Sequence, residues 1–198
     1  MERAGMNGGP DPHRLHAGIA EQGKLEALAG RHDSALAHYR EALRRAAALR
    51  APGVVARHYL LCVFESLEHK QDFAAMAALI EQALVAPLPD PASQFERNDR
   101  ALLYERLAIA RLRLGETAAA RSALDDALAL AGPQRLPLAT WLAAVLQRGL
   151  TVTPVRLAEA QRQHGYFSVR PGTADRSRAI SLPIGEKGTR SGTDGRFA

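Results

Sequence analysis

The chain has 198 residues, of which 46% are hydrophobic but only 5% aromatic, and carries a formal net charge of +5. A body of ~150 residues buries roughly 70% of its unfolded surface, so neither metal nor disulfide is needed to hold a core. The one cysteine, Cys62, excludes an intramolecular disulfide and fits a cytoplasmic location. No stretch approaches the ~20 apolar residues of a membrane span, and MERAGMNGGPDP carries no apolar segment of signal-peptide length, so a soluble protein is expected. Alanine supplies much of the apolar fraction, which points to an all-α fold with close helix packing.

In chain order, residues 1–10 read as disordered, and Asp11-Pro12 as an N-cap and first helical position. The first helix runs to about Ala29, with Leu15, Ile19 and Gln22 at helical spacing, and Gly30 ends it. A second spans about Asp33 to Leu49 and stops at Pro52-Gly53. The third, Val54 to Glu68, has the stripe Tyr59, Leu60, Val63, Phe64, Leu67. Cys62 in this run reads as a thiol filling a core gap. A turn, HKQD, leads to a fourth helix, Phe73 to Val85, whose buried face is Met76, Leu79, Ile80, Ala83 and Leu84. After the proline-rich APLPDPAS, Asp90-Pro91 repeats the N-cap and proline start, giving a fifth helix from Pro91 to Leu114. Gly115 turns the chain into a sixth, Thr117 to Ala131, closed by Gly132-Pro133. Leu138, Trp141, Leu142, Val145 and Leu146 form the cleanest amphipathic stripe. Thr153-Pro154 starts a short last helix ending at Gly165.

From Ser168 onward Gly, Ser, Thr, Arg and Pro dominate, without helical period, so residues 168–198 read as a tail disordered on its own. From Arg170 on, six basic residues face three acidic ones, which leaves +3 on the tail and +2 on the body. One apolar island, residues 179–185, interrupts it. Its Ile180, Leu182 and Ile184 alternate along an extended segment able to dock on a partner.

Two stretches share one scheme. In GRHDSALAHYREAL, Ala35, Tyr39 and Ala42 sit small–aromatic–small on one helical face; in GETAAARSALDDAL, Ala120, Leu124 and Ala127 repeat it. A recurring scheme implies stacked helix hairpins. By these residues, with Gly23 in the first hairpin and Tyr104, Leu107, Ala108 and Gly115 in the third, residues 11–167 resemble the tetratricopeptide repeat family. In the second hairpin Ala83 and Leu84 match, while Met76 and Phe64 replace smaller residues. The spacing departs too: Ala42, Ala83 and Ala127 are 41 and 44 residues apart, against a family repeat near ~34. This resembles the longer-helix subclass often seen in bacterial regulators and adaptors. The resemblance implies an all-α solenoid of antiparallel hairpins, about three repeats plus a degenerate capping hairpin. The first helix of each hairpin would line a partner groove, with Lys24, His58, Glu65, Glu105 and Arg113 as groove residues. Ala20 stands where chaperone-binding members carry lysine and Lys24 where they carry asparagine, so capture of a chaperone C-terminus is not expected.

No catalytic signature is present: there is no His-Glu-x-x-His, Cys-x-x-Cys or Gly-x-Ser-x-Gly. GEKGTRSG in the tail lacks the spacing of a phosphate loop. The seven histidines read mostly as solvated faces and turns, and Asp125-Asp126 as a solvated face. The reading is therefore a non-catalytic adaptor or scaffold that holds a protein partner in its groove and through its tail, with no metal and no cofactor. The alternatives are a secretion or assembly chaperone shielding an apolar segment, or a nucleic-acid-binding protein using the basic tail, which lacks interleaved aromatics for base stacking.

Overall fold

The computed structural model describes residues 11–88, 92–132 and 134–182. The readings made for residues 1–10, for Asp90-Pro91, for Pro133 and for residues 183–198, including Ile184, lie outside the described residues. Among the described residues the regular elements are eight α-helices and one 3-10 turn: α1 (Pro12–Leu28), α2 (His32–Ala48), α3 (Gly53–His69), α4 (Phe73–Leu84), α5 (Gln94–Arg113), α6 (Thr117–Ala131), α7 (Pro137–Gln147), α8 (Pro154–Gln163) and the turn Arg176–Arg178. Sequential helices pack side by side, α1 on α2, α2 on α3, α4 on α5, α5 on α6 and α6 on α7, an arrangement compatible with a helical repeat solenoid. No helix among the described residues is long and apolar enough to cross a membrane.

The helix starts follow local chemistry. Asp11, Asp72 and Thr153 accept hydrogen bonds from the exposed N–H groups of α1, α4 and α8. The fifth helix begins at Gln94 rather than Pro91, because Ser93 and Glu96 form a reciprocal capping box: Ser93 N–H donates to Glu96 Oε2 (2.8 Å) and Glu96 N–H to Ser93 Oγ (3.2 Å). The helix ends share one device. In α1, α2, α3, α5, α7 and α8 a residue with positive φ follows the C-cap, and the next N–H reaches back five residues, as in Arg31 N–H to Glu26 O and Asp72 N–H to Leu67 O. Glycine fills the positive-φ position in four of these ends; Arg50 (φ 49°) and Gln71 (φ 60°) fill it in α2 and α3. A Cβ costs about 1 kcal/mol there, and the sequence carries no glycine signal at either end.

The small–large–small scheme is the packing scheme. Ala35, Tyr39, Ala42, Ala108, Ala120, Leu124 and Ala127 are all fully buried. Gly23 lets α1 lie close against α2: a Cβ there would stand 2.6 Å from the Tyr39 ring. Met76 and Phe64 are also fully buried, so the second pair fills the space with side chains that the other pairs fill with closer backbones. Ala83 and Leu84, read as buried, are only half-buried because α4 ends there.

Of the tail expected to be disordered from Ser168, residues 168–182 lie against the helices, and the remainder lies outside the described residues. Leu182 joins a second apolar cluster made by Ile19, Ala20, Ala42, Ala46 and Tyr59.

Candidate functional site

After α8 the chain turns at Gly165 and retraces the stack from its third helix pair to its first. Tyr166 lies beneath α5, with the Arg106 guanidinium 4.4 Å from its ring centroid. Phe167 stacks on His69 (4.8 Å between centroids), which stacks in turn on His32 (4.8 Å). Ser168 N–H donates to Glu65 Oε1 (2.7 Å) and Val169 N–H to Glu65 Oε2 (2.9 Å), so one α3 carboxylate grips two consecutive main-chain amides. Further on, Asp175 N–H donates to Glu21 on α1 (2.8 Å), Ile180 N–H to the Gly18 carbonyl (2.9 Å), and Leu182 N–H to His38 Nε2 (3.2 Å). His38 Nδ1 lies 2.8 Å from the Ser34 carbonyl and donates to it, which leaves Nε2 free to accept.

Under this segment lies a buried polar centre. Arg106, Glu65, Glu68, Glu105 and Gln161 are each at most 8% exposed. Arg106 Nη2 donates to Glu65 Oε1 at 3.0 Å. Glu68 accepts from Gln161 of α8 (2.5 Å), and Glu105 accepts from Ala139 N–H (2.9 Å), where the first turn of α7 has no cap of its own. Burial pushes the Glu68 and Glu105 carboxyls above their ordinary range. Burial opposes the Arg106 charge, but Tyr166 and the carboxylates of Glu65, Glu68 and Glu105 more than offset this and hold its pKa above the arginine range. Arg106 Nη1 is buried without a hydrogen bond, while the buried Glu68 carboxyl and Tyr166 hydroxyl face each other.

These positions refine the groove assigned from sequence. Glu105 is a buried structural acceptor for α7 rather than open lining, whereas Glu65, equally buried, lies under residues 168 and 169 and holds their amides. Lys24 is nearly buried and paired to Glu21 at 2.9 Å. Arg113 faces the α4 side, 4.5 Å over the Phe73 ring. His58 is half-buried beside Glu21, Lys24, Val54, Val55 and Tyr59, around a hollow of about 360 Å³; burial, then Lys24, lowers its pKa and favours the neutral imidazole. Ile180 and Leu182 do dock, but on this chain's own α1 and α2. His16 and His38 are buried rather than solvated, His16 2.8 Å from the Tyr59 hydroxyl. Asp125 and Asp126 are exposed, as read. The Cys62 thiol is fully buried, and burial pushes its pKa to about 12, so a thiolate is scarce at neutral pH. Sequence reasoning missed Gly18, Glu21, His38, Glu68, Arg106, Tyr166 and Phe167.

Two predictions arise directly from this geometry. A Cβ at Gly18 would stand 2.6 Å from both the Arg178 carbonyl and Ile180 Cδ1. Gly18→Ala should stabilise α1 by up to about 1 kcal/mol while expelling residues 178–182. We expect an unchanged or higher melting temperature together with at least about tenfold faster tryptic cleavage after Arg176 and Arg178; unchanged cleavage would show that the contact does not hold the segment. For Glu105, burial holds the folded pKa above the ordinary glutamate value of 4.5. The native state therefore binds more protons than the unfolded state above that pH, and this group's contribution to stability falls as pH rises through the window up to the raised pKa. Glu105→Gln keeps an acceptor for Ala139 N–H and removes the charge. Its melting temperature should equal or exceed wild type at pH 7, the difference shrinking toward pH 4, whereas Glu105→Ala should lose about 1–3 kcal/mol at both.

The chain matches no protein-family profile, no curated protein and no solved structure. The class that fold and site define is an all-α stack of helix pairs with its own residues 166–182 hydrogen-bonded across α5, α3, α1 and α2.

Proposed function

We propose that this protein is a non-catalytic, cytoplasmic adaptor of the longer-helix tetratricopeptide repeat type, which holds an extended segment of a protein partner against the face made by α1, α3 and α5. The observation that carries this reading is the main-chain recognition on that face. Glu65, Glu21 and the Gly18 carbonyl each accept a backbone N–H from residues 168–180, an irregular stretch that turns at Arg170–Thr173 and again at Arg176–Arg178, and main-chain hydrogen bonds of this kind are a recurring way for a surface to hold a peptide. The small buried residues at Gly23, Ala35, Ala42, Ala108, Ala120 and Ala127 support the repeat assignment.

Beside the C-terminal segment the face stays open at the His58 hollow, where Val54 is 54% exposed. Quantitative affinity purification from the native host tests the reading. Partners retained by wild type should be lost with Val54→Asp/His58→Glu at an unchanged melting temperature. Equal recovery from both proteins, or retention of nucleic acid alone, would overturn it.

A further inference from the structure

The contacts that hold residues 166–182 fall into two kinds. Those made by Glu65, Glu21, the Gly18 carbonyl and His38 go to main-chain amides, which every non-proline residue offers. They are blind to sequence. Only a few places read side chains. At the first, the imidazole of His69 presents its face to an aromatic ring, backed by His32. At the second, two residues on, Val169 packs against the main core and lines a hollow with Ala27, Leu28 and His32. Glu65 grips the two amides that follow the aromatic residue, which fixes the spacing between the two sockets.

The cis segment fills these places incompletely. Phe167, Ser168 and Val169 are only half-buried, Ile180 is 36% exposed, and a hollow of about 270 Å³ stays open beside Val169 and Pro171. A tethered ligand does not need tight contacts, because the tether supplies an effective concentration in the millimolar range. The helices beneath keep their own caps and core without residues 167–182, apart from the contact of Val169 with the main core and the cluster around Leu182.

We propose that the partner of this face is an extended protein segment with an aromatic residue two places before a β-branched one, and that residues 167–182 occupy its place in the free chain and leave when it binds. This rests on the adaptor reading above and adds to it the partner's sequence rule and the occupancy of the site before binding.

The test uses the full-length chain and a fluorescent synthetic peptide with the sequence of residues 165–182. Phe167→Ala/Ile180→Ser loosens the cis segment without touching the helices. This variant should bind the peptide at least about tenfold more tightly than wild type. Alanine in the peptide at the Phe167 position should weaken binding about five- to tenfold, and alanine at the Ser168 position should not. A second measurement needs no variant: in wild type with excess peptide, the amides of Ser168, Val169, Ile180 and Leu182 should lose hydrogen-exchange protection while α3 keeps its own. If neither protein binds the peptide, the adaptor reading fails together with this inference. If both bind it equally and protection of residues 168–182 persists, the inference alone fails. If light scattering shows the variant forming dimers, the occupant is a second copy of this chain and the partner assignment is overturned.

Discussion

Arg106→Ala is expected to destabilise the fold by about 3–5 kcal/mol, the range for removing one partner of a buried ion pair. For a chain of this size that lowers the melting temperature by about 10 °C. The reason is charge balance. Arg106 is the cation of a centre that holds the carboxyls of Glu65, Glu68 and Glu105, all nearly excluded from solvent. Its removal leaves three buried acids without their cation and strips that cation from the Tyr166 ring. The loss should depend on pH with a definite sign. Glu68 and Glu105 are already pushed upward by burial, and without Arg106 they should move further. The native variant then binds more protons than its unfolded chain above the ordinary glutamate value of 4.5, so its stability should fall as pH rises. Chemical denaturation at pH 5 and pH 7 checks this: the deficit relative to wild type should be larger at pH 7. A deficit equal at both would mean that Arg106 acts by packing alone.

The centre also explains what was legible in the sequence and what was not. Helix existence and the small–large–small register could be read, because both depend on neighbours three and four residues apart on one helix. Ala35, Tyr39 and Ala42, or Ala120, Leu124 and Ala127, carry that information locally and are buried as expected. Arg106 carries no such signal. On its own helix it is an arginine in ERLAIARLR, indistinguishable from a solvated residue; what buries it is Glu65, 41 positions earlier, and Tyr166, 60 positions later. The groove assignment chose the acids Glu65 and Glu105 on the correct helices, yet not their role, since whether a glutamate lines a groove or caps a neighbouring helix depends on where α7 begins. The C-terminal segment is bound mainly through its backbone, and backbone hydrogen bonds leave no residue pattern. The usable hints were Tyr166 and Phe167, two aromatics directly after a helix-ending glycine in a chain poor in aromatics, and the adjacent acids Glu65 and Glu68 in the otherwise apolar YLLCVFESLEH.

Glu65→Ala should act in a second way, and its two effects can be separated. At the centre it removes the ion-pair partner of Arg106, but Glu68 and Glu105 remain beside the guanidinium, so the loss should be smaller than for Arg106→Ala, about 2–3 kcal/mol. At the surface it removes both acceptors of Ser168 and Val169 N–H. Those residues are half-buried, and water can satisfy their amides once the segment lifts, so the lifted state becomes the cheaper one. Hydrogen exchange should therefore show protection lost from Ser168 to Leu182 while helices α5 and α6 keep theirs. Glu65→Gln separates charge from geometry. Its amide oxygen still accepts one N–H, but its NH₂ then faces the other, donor against donor, so the segment should loosen nearly as much while the centre loses only the ion pair. If protection at Ser168 and Val169 survives both substitutions, the segment is held by Phe167 and Val169 packing, and the carboxylate grip on which the proposed peptide-binding face depends has no energetic weight.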